Sequence, residues 1–66
     1  MIRIDKSVAE KLVKARGAKT RAEVAAAIGI SYRALTSYEQ GWRRPSDNVK
    51  KKIADYYGTT VQALFY

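Results

Sequence analysis

Apolar residues recur three and four positions apart through most of the chain, and each such stretch carries a start and a stop signal. Val8, Leu12 and Ala15 fall on one helical face, so a first helix is expected from about Ser7 to Arg16. Ser7 and Glu10 have the spacing of a capping box, in which each side chain satisfies the other's free backbone N–H. Gly17 suits its end, because glycine enters the left-handed backbone region cheaply. Thr20 and Glu23 repeat the pattern and open a second helix through Val24, Ala25 and Ile28, which Gly29 stops. Ser31 caps a third, Tyr32 to about Gln40, and Gly41 ends it. Pro45 announces a fourth, with Ser46 as N-cap and Asp47 near the positive end of the helix dipole. Within it Val49, Ile53 and either Tyr56 or Tyr57 face inward, Lys50, Lys51 and Lys52 fall mostly outside, and Gly58 closes it. Thr60 caps a last short turn, Val61 to Phe65. Only Met1 to Asp5, where Ile2 and Ile4 alternate with polar residues, reads as a short extended arm. The expected fold is all-α, a compact bundle of four to five helices forming a single domain over residues 1–66.

Composition narrows what such a bundle can do. A chain of 66 residues buries only about 60% of the surface its unfolded form exposes, so its stability margin is thin. Its 47% apolar content is nevertheless that of an ordinary globular protein. There is no cysteine to build a disulfide or a thiolate metal site, and no histidine, the commonest general base and metal ligand. No metal, no cofactor and no enzymatic activity are expected. Thirteen Lys plus Arg against six Asp plus Glu leave a formal net charge of +7. That field favours a polyanionic partner, nucleic acid first and an anionic membrane second. No apolar run approaches the ~20 residues that span a bilayer, and Met1 to Lys6 lacks the apolar core of a signal peptide. A cytoplasmic protein without a membrane partner is expected.

The informative stretch is Arg21 to Gln40. Two helices that cross steeply through a tight turn need particular residue types at fixed offsets. Ala25 sits where a larger side chain would hold the two helices apart, Gly29 supplies the turn, and Ile30 buries the corner. Val24, Ile28, Leu35 and Tyr38 are the apolar contacts of the inner faces. With Arg21 opening the second helix, then Val24-Ala25, Gly29-Ile30-Ser31, Glu39-Gln40-Gly41 and Pro45-Ser46, the segment resembles the phage repressor and Cro family of helix-turn-helix proteins, the XRE-type regulators. Val49, Lys52, Ile53, Ala54, Tyr57, Gly58, Val61 and Leu64-Phe65 match that family's fourth and fifth helices. The resemblance covers Thr20 to Phe65, with the helix-turn-helix at about residues 20–40. It departs at the front, where Arg16 to Thr20 is one residue longer than usual and Lys19 replaces a common core leucine. Relatives pair the counterpart of Glu39 with an arginine of the first helix, and here Lys14 and Arg16 compete for that role.

The resemblance implies a lambda repressor-like DNA-binding domain whose third helix lies in the major groove. With Leu35 and Tyr38 turned inward, the opposite face presents Ser31, Tyr32, Arg33, Thr36, Ser37 and Gln40. Arg33 can pair with guanine O6 and N7, and Tyr32 can meet a thymine methyl or a phosphate. Thr36 and Ser37 are short enough to let the backbone approach; these four are the expected base contacts. A merely solvated face usually carries Glu and Lys, and Tyr32 to Ser37 has no acid. Phosphate contacts are expected from Arg21, at the helix N-terminus where anions are favoured, and from Ser31, Gln40, Trp42, Arg43 and Arg44. Trp42 is either an exposed ring beside the sugars or a core residue, and Lys50 to Lys52 are mainly a wet helical face. The family generally binds as a two-fold dimer on half-sites one helical turn apart. A homodimer on a palindromic double-stranded operator is therefore expected, its surface drawn from Tyr57 (or Tyr56), Val61, Phe65 and Tyr66, since no separate dimerisation segment is in view.

Three functional readings compete. A transcriptional regulator of repressor or immunity type leads. An antitoxin or restriction-control regulator would use the same module, and a protein-interaction module would have kept the fold and lost DNA. The last predicts acids or bulky apolar residues on the outward face of the third helix, and Arg33, Thr36 and Ser37 argue against it. A membrane-surface peptide would need one long amphipathic helix, which Gly17, Gly29, Gly41 and Gly58 interrupt.

Overall fold

A computed structural model describes residues 6–66. They form five helices: α1 (Lys6–Arg16), α2 (Arg21–Ile28), α3 (Tyr32–Glu39), α4 (Asp47–Tyr57) and α5 (Val61–Phe65). No strand occurs among the described residues, so the class is all-α, as the periodicity implies. The arm expected at Met1 to Asp5 lies outside the described residues.

The capping signals from Thr20 onward do what their chemistry allows. Thr20 and Glu23 form a reciprocal capping box, with Glu23 N–H to Thr20 Oγ1 at 3.1 Å and Thr20 N–H to Glu23 Oε2 at 3.2 Å. Ser31, Ser46 and Thr60 each accept from the N–H three residues on, at Ala34, Val49 and Ala63. Each bond satisfies one of the donors a helix start leaves orphaned. Ser7 is a correction. The helical ladder of α1 already includes Lys6, so Ser7 lies inside the helix, whereas an N-cap must sit outside it.

Each helix contributes to one core. Leu12, Val24, Leu35 and Ile53 are fully buried, and Val8, Ala9, Ala25, Ile28, Tyr38, Ala54, Leu64 and Phe65 surround them. The third helix packs against both α1 and α2, while α5 closes the bundle on α4 and α1. Two assignments of side change, one in each direction. Ala15 is exposed, because the last-turn position that continues the stripe of Val8 and Leu12 is taken by Arg16, whose guanidinium reaches a buried carboxylate.

Lys50 is buried rather than solvated. Its position three before Ile53 and four before Ala54 sets it on the core face of α4. The alkyl stem packs there while Nζ donates to the Tyr66 hydroxyl at 3.1 Å and lies over the rings of Tyr66 and Phe65 at 5.0 and 5.7 Å. Tyr56 and Tyr57 are both half-buried, edge to face at 5.3 Å.

Leu35→Ala removes a fully buried side chain from the centre of α3 and is expected to cost about 3 kcal/mol of unfolding free energy. Urea denaturation reads this directly. A loss below about 1 kcal/mol would mean that the inner stripe of α3 is not packed.

Candidate nucleic-acid interface

The turn between α2 and α3 is built by one glycine and one buried apolar residue. Gly29 adopts φ 89°, and the Ile30 N–H reaches back to Ala25 O at 3.0 Å. An L-residue with a Cβ enters that backbone region at a cost, glycine freely. Ile30 then packs half-buried against the core, and Ser31 starts α3.

Periodicity divides α3 in two. Leu35, Tyr38 and Glu39 face inward. Tyr32 and Arg33 are exposed and Thr36 and Ser37 half-buried on the other side. Gly41, at φ 76°, reverses the chain after α3, with its N–H on Tyr38 O and the Trp42 N–H on Ser37 O at 3.0 Å. Trp42 is thereby brought beside the outward face of α3 and is partly exposed, so it is not a core tryptophan. Together Tyr32, Arg33, Thr36, Ser37 and Trp42 line an open hollow of about 520 Å³. The four expected base-contact residues thus lie together, with an indole at their border.

Glu39 is the feature that holds this surface. Its side chain is fully buried, and it accepts from Arg16 Nε at 2.9 and 3.1 Å and from Arg21 Nε at 3.0 Å. Arg16, not Lys14, is therefore the partner on α1. Arg16 Nη1 also donates to the Lys19 carbonyl at 2.6 Å, which ties down the longer connection between α1 and α2. The carboxylate, and after it the nearby Tyr32 hydroxyl, hold the Arg21 guanidinium above its already high ordinary pKa, so its charge is permanent. Burial, and next the charge of Glu39, push the Tyr57 hydroxyl up to about 12. That hydroxyl is buried without a hydrogen-bond partner among the described residues.

The expected phosphate-contact residues divide. Arg21 is not a free cation at the end of α2: Nε is committed to Glu39, and its other N–H groups, on a side chain 30% exposed, remain to be offered. Ser31 spends its acceptor oxygen on capping but keeps its hydroxyl proton. Gln40 caps the C-terminus of α3 with its side-chain oxygen buried, so only its amide nitrogen can serve. Arg43 and Arg44 are exposed beyond Trp42, Arg43 over the Tyr38 ring at 5.9 Å.

Of the residues considered for a dimer surface, Phe65 is withdrawn, because the core takes up its ring. Tyr57 and Val61 are half-buried, and Tyr66 is exposed. What residue patterning missed was the second arginine on Glu39. A signal existed: Glu39 follows Leu35 by four and adjoins Tyr38, so it belongs to the inward stripe, where a carboxylate requires basic partners.

A helix-turn-helix family model matches residues 10–64. That span is most of the chain, and the protein belongs to the helix-turn-helix family, in its XRE-type class. It is a DNA-binding regulator of that type. Searches among curated proteins and among solved structures returned no match. Among the described residues no helix is long and apolar enough to cross a membrane, and no cluster of three or more His, Cys, Asp or Glu side chains could hold a metal.

Glu39→Gln leaves two guanidinium groups facing a neutral amide and is expected to lower stability by about 3 kcal/mol. Glu10→Gln, on an exposed residue, should change it by no more than about 0.5 kcal/mol. Equal urea midpoints for the two variants would contradict the triad.

Proposed function

We propose that α3 is the recognition helix, inserted in the major groove of double-stranded DNA, and that the protein is a transcriptional regulator of repressor or immunity type acting on a palindromic operator. One observation carries this reading. The acid-free outward face, with Arg33 exposed and in no ion pair among the described residues, lies opposite a stripe of Leu35, Tyr38 and Glu39 that the core holds fast. A base-reading surface needs such an exposed donor on a rigid support.

In this arrangement Arg33 donates both ends of its guanidinium to guanine O6 and N7, worth about 1–3 kcal/mol of discrimination. Tyr32, Thr36 and Ser37 meet the neighbouring base edges. Arg21 and Ser31 on one side, and Gln40, Trp42, Arg43 and Arg44 on the other, engage the flanking phosphates. These contacts set register rather than sequence. Two copies bind half-sites one turn apart through the surface of Tyr57, Val61 and Tyr66. Analytical ultracentrifugation with and without the palindromic duplex tests that pairing.

Selection from a random duplex library is expected to enrich an inverted repeat with a guanine in each half-site. Arg33→Ala should relax the preference at that guanine by about 5-fold or more. With roughly five phosphates engaged per copy, log K should fall with log salt at a slope of about −4 to −5 per subunit. No enrichment, or a slope near zero, would sink the reading.

A further inference from the structure

The hollow between Tyr32 and Trp42 exposes mostly apolar surface. Thr36 sits among its lining residues, and Thr36 Oγ1 donates to the Tyr32 carbonyl at 2.9 Å. The hydroxyl's single proton is thus committed to the backbone. Its methyl group is left as the part of the side chain with no bond to make, so Thr36 is a weaker base donor than its residue type implies. The Tyr32 ring, exposed, borders the hollow. The Trp42 indole, on a residue whose backbone N–H donates to Ser37 O, forms the other border. Two aromatic rings and a methyl group next to an arginine fork make a receptor for an apolar knob on a base edge.

In the major groove only one base carries such a knob, the C5 methyl of thymine, and 5-methylcytosine presents the same group at the same ring position. Arg33 both borders the hollow and adjoins Tyr32 in sequence, so the methyl belongs to a pyrimidine beside the guanine that Arg33 reads. Resting on the recognition-helix reading above, we infer that the Tyr32–Trp42 hollow is a receptor for a pyrimidine C5 methyl group, which makes binding sensitive to cytosine methylation beside that guanine. The hydrogen-bonding groups at C4 differ between thymine and cytosine. The hollow therefore responds to the methyl independently of them.

The test uses the site obtained by selection, with thymine, uracil, cytosine or 5-methylcytosine placed in turn at each pyrimidine adjoining the guanine. Burying one methyl should tighten binding about 3- to 5-fold. That ratio is expected for thymine over uracil and again for 5-methylcytosine over cytosine at the same position. In Tyr32→Ala and in Trp42→Ala both ratios should fall to about one, with folding checked by circular dichroism. Ratios of one in the unaltered protein, while the guanine preference still depends on Arg33, overturn the receptor and leave the recognition helix standing. A ratio in only one of the two pairs, or ratios that survive both substitutions, also overturn it. Absence of any selected site removes the recognition-helix reading and this inference with it.

Discussion

One carboxylate, that of Glu39, fixes the arrangement on which everything else depends. It is fully buried on α3 and held by Arg16 from α1 and Arg21 from α2. Three helices and, through the Lys19 carbonyl, one connection meet at that point. Exchanging a buried ion pair for well-packed apolar residues often costs a protein little, whereas removing one partner is expensive. The triad thus contributes orientation more than net stability. A rotation of α3 about its axis would draw Glu39 out of reach of two cations at once, and the face carrying Arg33 would turn with it.

A second polar clamp serves the other end of the bundle. Lys50 sits among Phe65 and Tyr66 with its ammonium on the Tyr66 hydroxyl. A domain this small has little apolar surface to bury, and this contact secures the last short helix to α4 without enlarging the core. It also shapes the candidate dimer surface. Phe65 is spent internally, and Tyr66 stands exposed but tethered through its hydroxyl. Both clamps place long basic side chains where their stems pack and their heads find a specific acceptor or ring.

Much of the fold was legible in the sequence because local chemistry decides it. Thr20, Ser31, Ser46 and Thr60 each cap a helix by the bond their spacing implies, and Gly29 and Gly41 sit at positive φ where their helices stop. Ser7 misled because a capping residue one position inside a helix has the same local pattern as one at its edge. Lys50 and Ala15 misled for a different reason. Lys50 was placed by residue type and Ala15 by its spacing alone, while burial was set by contacts far along the chain, of Lys50 with Tyr66 and of Arg16 with Glu39. The outward residues of α3 followed from its period alone, since Leu35 and Tyr38 leave little freedom to the rest. The hollow did not, because it depends on Trp42 folding back across Ser37, and on a threonine proton committed to its own helix.

A second open groove, on α1 beside Ala9, Val13 and Lys14, offers an alternative site for a partner. The central claim is that duplex DNA is engaged by α3 and the loop carrying Trp42. Titrating isotope-labelled protein with the selected duplex, and following backbone amide chemical shifts, separates the two surfaces. The account predicts the largest changes over Ser31 to Ser37 and Trp42 to Arg44, with Val13 and Lys14 little moved. Changes centred on Val13 and Lys14, with Arg33 and Trp42 undisturbed, would contradict it.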